Sequence, residues 1–347
     1  MGSKVFVIGA FGYFNNKLDG QTVKTRNIYD LLKLKHDGEV SYLDTLETRK
    51  KPWLLLSLVW QLVNCNKLVL VPCTNNLSVL FPVMYYLSKI FRYEILLICM
   101  GGWQVEYFLG GGKFKKHPKV MELCKKVKVL MPELKKVETD LKSICGFNNT
   151  VVFPNFRFVE KKDYPYQLEK NLKLVYFGRI NRNKGYETIF NAAYLIHEQQ
   201  LSITIDFYGQ IESEDRENFM QMIDNHSSVV KYKGELPFES LYETLANYDL
   251  LLFPTRYYTE GFPGCILDAY ISGIPVLVTD WKHSHEFVRE NETGFIIPFE
   301  NNQESFNNKI LDIYNNQQLL TKMRVKAKKE ADKYSDEAAW PIIKQYI

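Results

Sequence analysis

From its start to about position 300, the chain alternates short apolar runs rich in β-branched and aromatic residues with longer runs of helical period, and it does so twice over. Strict alternation of this kind means parallel strands, because a parallel neighbour is reached only through a long crossover, and the crossover helices then cover both faces of the sheet. In the first half, strands are predicted at Lys4 to Ile8, Glu39 to Leu43, Lys67 to Val71, Glu94 to Cys99, Val127 to Met131 and Thr150 to Phe153. Helices are predicted between them at Thr22 to Leu34, Trp53 to Leu62, Asn76 to Phe91, Pro118 to Lys125 and Glu133 to Ile144.

The second half repeats the scheme, with strands at Lys173 to Phe177, Ile203 to Tyr208, Val229 to Tyr232, Leu250 to Phe253, Pro275 to Val278 and Phe295 to Ile297. Its helices are predicted at Tyr186 to Gln199, Glu214 to Asn225, Phe238 to Ala246, Pro263 to Ser272 and Ser284 to Glu290, followed by closing helical stretches at Gln303 to Asn315, Gln318 to Tyr334 and Glu337 to Tyr346. Pro154 to Lys170 is polar, holds Pro154 and Pro165, and reads as a linker. A length of 347 residues suits two domains. They are expected at 1–160 and 161–334, with 335–347 as a helix returning to the first. Two doubly wound α/β sheets in tandem bind ligands beyond the carboxyl ends of their strands, so the cleft between the domains is the expected site.

The longest apolar runs, Leu54 to Val63 and Leu77 to Ile90, fall short of the ~20 residues that cross a bilayer. Val5 to Ile8 is too short for a secretory core and reads as a first buried strand. None of the six cysteines forms a CxxC pair, and a reducing cytoplasm is the simplest compartment. Charge is uneven: residues 1–163 hold 25 Lys and Arg against 14 Asp and Glu, and residues 164–347 hold 19 against 26. The basic half, with Lys113, Lys115, Lys116, Lys119, Lys125, Lys126 and Lys128 beside apolar stretches, points to peripheral contact with an anionic inner membrane face; a solvated basic face is the alternative.

Two segments carry the chemistry. In EGFPGCILDAYISGIPVLVTD, Glu260 to Asp280, Gly261 and Gly264 leave a turn without side chains ahead of a helix with Pro263 near its start. The unpaired amides and positive partial charge of a helix N-terminus form an anion site. Glu260 in the turn and Asp268 within the helix can reach different parts of one ligand; a helix-terminal charge beside a solvated helix residue is the alternative. In VYFGRINRNKGYETI, Val175 to Ile189, a buried strand ends at Gly178, and Arg179 and Lys184 flank a polar loop. Two cations at the mouth of a sheet suit a diphosphate, with a basic solvent loop as the alternative.

These segments, together with VVFPN, FYGQ, YKGELPFESLYETLANYDLLLFPT and NETGFIIPF in order, resemble retaining glycosyltransferase family four, the group-one glycosyl transferases of the GT-B fold. The resemblance covers most of residues 150–300. It implies transfer of a glycosyl group, with retention, from a nucleoside diphosphate sugar to a hydroxyl of a saccharide or lipid-linked acceptor, as in cell-surface polysaccharide or glycoconjugate synthesis. No cofactor, metal or nucleic acid is implied. It assigns Arg179 and Lys184 to the donor pyrophosphate and Glu260 to the donor sugar, and these three to the chemistry. Gly178, Gly209, Gly234, Leu236 and the stretch Gly261, Phe262, Pro263, Gly264 complete the donor site. Asp268 stands where the family has a ribose-binding glutamate, and Pro263 stands where it usually has glycine.

In IGAFGYFNNKLDGQTVKT, after the first strand, the resemblance places Gly12 over the donor and Gly20 near the acceptor, although a flexible connection explains the glycines as well. MGGWQVEYFLGGGKFKK is the expected acceptor loop: Gly102, Trp103, Glu106 and Tyr107 could meet a sugar, with structural aromatics as the alternative. Near His283 and His285 only Asp280 and Glu286 could complete a metal shell, and the resemblance gives this loop no metal role. No carboxylate is identifiable as a covalent nucleophile, so front-face attack assisted by the departing phosphate is preferred. A nucleotide-sugar epimerase on the same architecture and a non-catalytic nucleotide-binding partner subunit are the competing readings, and the base, sugar, acceptor and oligomeric state stay open.

Overall fold

The computed structural model describes residues 2–15, 19–48, 50–51, 53–159 and 162–347; Asn16 to Leu18 of the first glycine loop and Glu160 and Lys161 of the linker lie outside the described residues. The chain divides into two compact units, Met1–Phe158 with Tyr334–Ile347, and Val159–Lys333.

The first unit runs β1 (Val5–Gly9), α1 (Gly20–Lys35), β2 (Val40–Asp44), α2 (Leu54–Asn64), β3 (Lys67–Val71), α3 (Thr74–Ser78), α4 (Leu80–Phe91), β4 (Glu94–Cys99), α5 (Gln104–Leu109), α6 (Pro118–Cys124), β5 (Val129–Pro132) and α7 (Lys135–Ser143). Its strands form one parallel sheet in the order β2-β1-β3-β4-β5. The central strands are apolar and buried along nearly their whole length, as strands covered on both faces must be. One face buries Val5, Val7, Val69, Val71, Leu96 and Ile98 against Ile28, Leu31 and Leu32 of α1.

Four sequence expectations fail here, each for a local reason. The helix expected over Asn76 to Phe91 is two helices, because the Pro82 ring would collide with the carbonyl four residues back, at Ser78, where α3 ends. Gln104–Leu109, expected as loop, is the short helix α5 between Gly102 and Gly110. Thr150 to Phe153 is no strand: it runs beside β5 through Val151 N to Leu130 O at 3.2 Å and Phe153 N to Pro132 O at 2.9 Å, and Pro154 then removes the next donor. In the second unit, Ser284 to Glu290 yields only a 3-10 turn over Ser284–Glu286.

The second unit runs β6 (Leu172–Phe177), α8 (Tyr186–Glu198), β7 (Ile203–Tyr208), α9 (Arg216–Asn225), β8 (Val230–Tyr232), α10 (Leu241–Ala246), β9 (Leu250–Phe253), α11 (Gly264–Ile271), β10 (Val276–Thr279), β11 (Gly294–Ile297), α12 (Gln303–Asn315) and α13 (Gln318–Ala331). Its six strands are parallel in the order β11-β10-β9-β6-β7-β8. The chain leaves β6 towards β7 and β8, then crosses back to β9 on the other side of β6 and continues to β10 and β11. The order therefore reverses between β6 and β9, and the crossover helices α8 and α11 lie on opposite faces. α11 is buried almost all round, with Ile266, Leu267, Ala269, Tyr270 and Ile271 in the core, because it is enclosed by the sheet, α10 and α13. A last helix, α14 (Asp336–Lys344), belongs to the first unit, where Ala339 and Ile343 join the α1 face and Asp336 pairs with Lys35 at 2.9 Å.

Candidate active site

In doubly wound sheets the reversal of strand order opens a crevice beyond the carboxyl ends of the two strands that flank it. Here those strands are β6 and β9, and the loops that leave them are the two segments singled out in the sequence.

The loop after β6 begins at Gly178, whose amide donates to Tyr208 O at 3.1 Å, while the Gly209 amide donates to Gly234 O at 2.9 Å. The three glycines form a row across the edge of β6, β7 and β8. At Gly209 the residue type is forced: its φ is 136°, and an added Cβ would lie 1.9 Å from the Gly178 carbonyl oxygen. Leu236 follows in the loop after β8 and is half-buried.

Beyond Gly178, Tyr176 donates its hydroxyl to Arg179 O at 2.6 Å, and the Arg179 guanidinium reaches Glu212 at 3.3 Å from a half-exposed position. Asn181 caps the next turn, accepting from Lys184 N at 3.1 Å and donating to Glu212 at 2.9 Å. Gly185 then turns the chain into α8 at φ 78°, with its α-carbon so close to the β9 loop that an added Cβ would lie 1.8 Å from Pro254 O. The two loops are further joined by Arg256 N to Asn183 O at 2.8 Å and Thr255 Oγ1 to Asn183 O at 3.3 Å. Arg256 also pairs with Glu187 at 2.6 Å.

This juncture brings Lys184 and Glu260, 76 residues apart in sequence, into a largely buried ion pair. The Lys184 ammonium also lies 5.3 Å from the centre of the Phe253 ring, at the end of β9. Glu260 donates its own amide to Tyr257 O at 3.1 Å. Immediately after it, Phe262 stacks on Phe287 with centroids 3.9 Å apart and planes 3° apart, which fixes the Gly261 to Gly264 turn. Pro263, whose side chain can cap no amide, precedes the first turn of α11. Its first amides are therefore placed to receive an anion. Burial pushes the Cys265 thiol up to about 12, so it stands there as a neutral group. Asp268, in the second turn, is 4% exposed.

The residues expected in the first unit lie in the loop after β1, at the start of α1, and in the loop and short helix after β4. The Gly12 amide, expected over the donor, donates to Asp44 Oδ2 at 2.8 Å, and Phe11 N donates to Asp44 Oδ1 at 3.1 Å. Asp44, at the end of β2, ties this loop to β2; it also accepts from Leu46 N at 2.9 Å, but its contacts with the loop span over 30 residues, so no local motif marks them. Gly20 opens α1 with open space where a Cβ would go, so nothing there demands glycine. Tyr107 is a correction: its ring stacks on His117 at 4.2 Å, meets Trp103, Phe108 and Phe114 edge-on, and its hydroxyl bonds Ser78 at 2.5 Å. It has no face left for a sugar. Trp103 and Glu106 are half-buried and Gly102 is buried. The loop that carries them is held by Glu133, which accepts from Gly101 N at 3.0 Å and pairs with the buried Lys24 at 3.0 Å. His285 pairs with Asp280 at 3.3 Å, and among the described residues no three His, Cys, Asp or Glu side chains gather closely enough to hold a metal ion.

The family model for glycosyl transferases group 1 matches residues 159–333, half of the chain and the whole of the second unit. The chain belongs to the group 1 glycosyl transferases. One curated relative is the capsular polysaccharide biosynthesis glycosyltransferase CapM of Staphylococcus aureus, 24% identical over 202 residues, covering 56% of this chain and 51% of the relative. Another is the poly(ribitol-phosphate) alpha-N-acetylglucosaminyltransferase of Staphylococcus aureus (strain COL), 24% identical over 236 residues, covering 67% of this chain and 46% of the relative. The chain spans about a quarter to a half of the length of the curated relatives it matches. Among solved structures, Anabaena Alr3699/HepE in complex with UDP and glucose superposes with a TM-score of 0.74 at 15% identity, over 99% of both chains. That likeness shows the GT-B fold of this group 1 chain.

Proposed function

We propose that the chain transfers a glycosyl group from a nucleoside diphosphate sugar to a hydroxyl of a saccharide or lipid-linked acceptor, retaining the anomeric configuration and using no metal. The observation that carries this is the Lys184 and Glu260 pair across the β6/β9 reversal, beside the glycine turn that opens α11. A cation, a carboxylate and a helix N-terminus within one crevice match the three parts of such a donor: diphosphate, sugar hydroxyls and the oxygen that takes up charge as the bond to the sugar breaks.

With donor bound, Lys184 and Arg179 exchange their carboxylate partners for diphosphate oxygens, and Glu260 is released to accept hydrogen bonds from the sugar. The glycosidic C–O electron pair leaves to the diphosphate, where the cations and α11 amides stabilise it. The acceptor hydroxyl attacks from the same face and gives its proton to the departing phosphate. Asp268 serves the ribose from the buried side of α11, and Gly102, Trp103 and Glu106 serve the acceptor. Support for the donor class comes from the solved neighbour that holds UDP and glucose, and for cell-surface polysaccharide as product from the relatives named for capsular and poly(ribitol-phosphate) chemistry. The basic first unit suits peripheral contact with an anionic membrane, where lipid-linked acceptors reside.

The test is Glu260→Gln, with UDP affinity and sugar transfer measured on one preparation. Affinity for UDP is expected to hold within about threefold while turnover falls by ~10² or more, since the carboxylate acts on the sugar as positive charge develops there. Near-normal turnover, or a loss of UDP affinity as large as the loss of rate, would remove Glu260 from this role.

A further inference from the structure

The apolar surface of the first unit is not confined to its core. Crossovers from β2 to β3, β3 to β4 and β4 to β5 all step in one direction across the sheet, so right-handed connections put α2, α4 and α6 on one face, opposite α1 and α14. α4 and α6 are in contact, and among the described residues of α2 Leu58 and Leu62 are the buried ones. Its outward side carries Trp53, Leu56, Val59, Trp60 and Val63, with Leu56 78% and Trp60 63% exposed. At 100° per residue these five fall within about a third of the helix circumference. On α4, Val79, Val83, Tyr86 and Ile90 fall on a still narrower stripe, all more than half exposed.

Single exposed apolar residues are ordinary, but two parallel stripes holding two tryptophans on one layer mark a contact surface. Its surroundings identify the partner. Exposed lysines flank the stripes: Lys89 and Arg92 at the end of α4, and Lys115, Lys116, Lys119 and Lys126 around α6. The nearby carboxylates are already paired, Glu94 with Lys67 and Lys128, and Glu122 with Lys125. The unit as a whole carries 24 Lys and Arg against 14 Asp and Glu. An apolar band with amphipathic aromatics and a basic rim fits the interface of an anionic bilayer, where tryptophan sits at headgroup depth and lysine reaches the phosphates.

We infer that the outer face of α2 and α4 is a membrane-docking surface that inserts Trp53 and Trp60 into an anionic lipid interface. This rests on the peripheral-contact part of the function proposed above, and it moves the seat of that contact from the lysine cluster alone to an inserted apolar face. It does not depend on glycosyl transfer.

The full chain is sedimented with vesicles of phosphatidylcholine and with vesicles of equal parts phosphatidylcholine and phosphatidylglycerol, for the native sequence, for Trp53→Ser with Trp60→Ser, for Val83→Glu, and for Lys119→Glu with Lys126→Glu. Native protein is expected to bind the anionic vesicles, with tryptophan emission quenched by brominated lipid. Both apolar variants are expected to weaken binding at least tenfold and the lysine variant severalfold, with melting temperature and UDP binding unchanged. Salt-sensitive binding that the apolar variants leave intact would overturn the inserted face while keeping peripheral contact. Absence of binding to either vesicle would overturn both. Equal binding to neutral and anionic vesicles would overturn the anionic partner. A concentration-dependent dimer abolished by Trp53→Ser with Trp60→Ser, without vesicle binding, would assign the face to a second copy of the chain.

Discussion

Arg179 and Lys184 differ in how they are held, and the difference sets what each substitution should do. Arg179 is half-exposed on a single carboxylate contact, whereas Lys184 is largely buried between Glu260 and the Phe253 ring. Arg179→Ala and Lys184→Ala should each weaken UDP by about tenfold or more, as loss of a charge-assisted contact implies. Arg179→Ala should leave the melting temperature unchanged, while Lys184→Ala should lower it by a few degrees because Glu260 loses its buried partner. Calorimetry and thermal melts on both variants check this, and unchanged UDP affinity in both would remove the donor assignment. Gly185 makes a structural demand of another kind. Gly185→Ala puts a methyl group 1.8 Å from Pro254 O at a left-handed φ, so the loops after β6 and β9 must separate. A loss of about 2 kcal/mol or more in urea unfolding is expected, together with weaker UDP binding. A variant as stable as the native protein would mean that the loop juncture is softer than drawn here.

At the scale of elements, Lys24 of α1 ties together parts of the first unit that no single strand or helix connects. Its ammonium donates to Glu133, just past β5, at 3.0 Å and to Phe153 O at 3.2 Å, and Glu133 in turn holds the Gly101 amide. Burial lowers the Lys24 pKa, so its charge depends on that pairing. Lys24→Met should take away the ammonium that pairs with the buried Glu133 carboxylate and lower stability by about 3 to 5 kcal/mol. A loss below about 1 kcal/mol in denaturant unfolding would show that water or a neighbour replaces the ammonium. Nothing local marks Lys24 in the sequence, where it reads as one polar residue of an amphipathic helix. The strands were legible because most buried parallel strands are apolar runs, and β3, β4 and β9 lie where those runs place them, while β7 shows instead as the alternation of Ile203, Ile205 and Phe207. Elements decided by a single residue were less so: Pro82 divides α3 from α4, and α5 is too short to show a helical period between its glycines. In the candidate site, Lys184 and Glu260 could be found because their loops carry glycines and charge at strand ends. Asp44, Asn183 and Glu212 could not, because what gives each its place is a partner far away in sequence.

Across the whole molecule, two parallel sheets of different topology carry opposite charge. The first unit holds 24 Lys and Arg against 14 Asp and Glu, leaving 20 against 26 for the second. An acidic unit is a poor general attractor for a diphosphate, so donor binding has to depend on local cations and helix amides rather than on a broad field. This makes the proposed site narrow and easy to locate. Hydrogen exchange over the full chain, with and without whichever nucleoside diphosphate raises its melting temperature most, maps where the donor binds. Added protection is expected in the loop from Gly178 to Gly185 and in the stretch from Glu260 to Asp268, the two sides of the β6/β9 reversal. Protection that spares both stretches under saturating nucleotide would contradict the account.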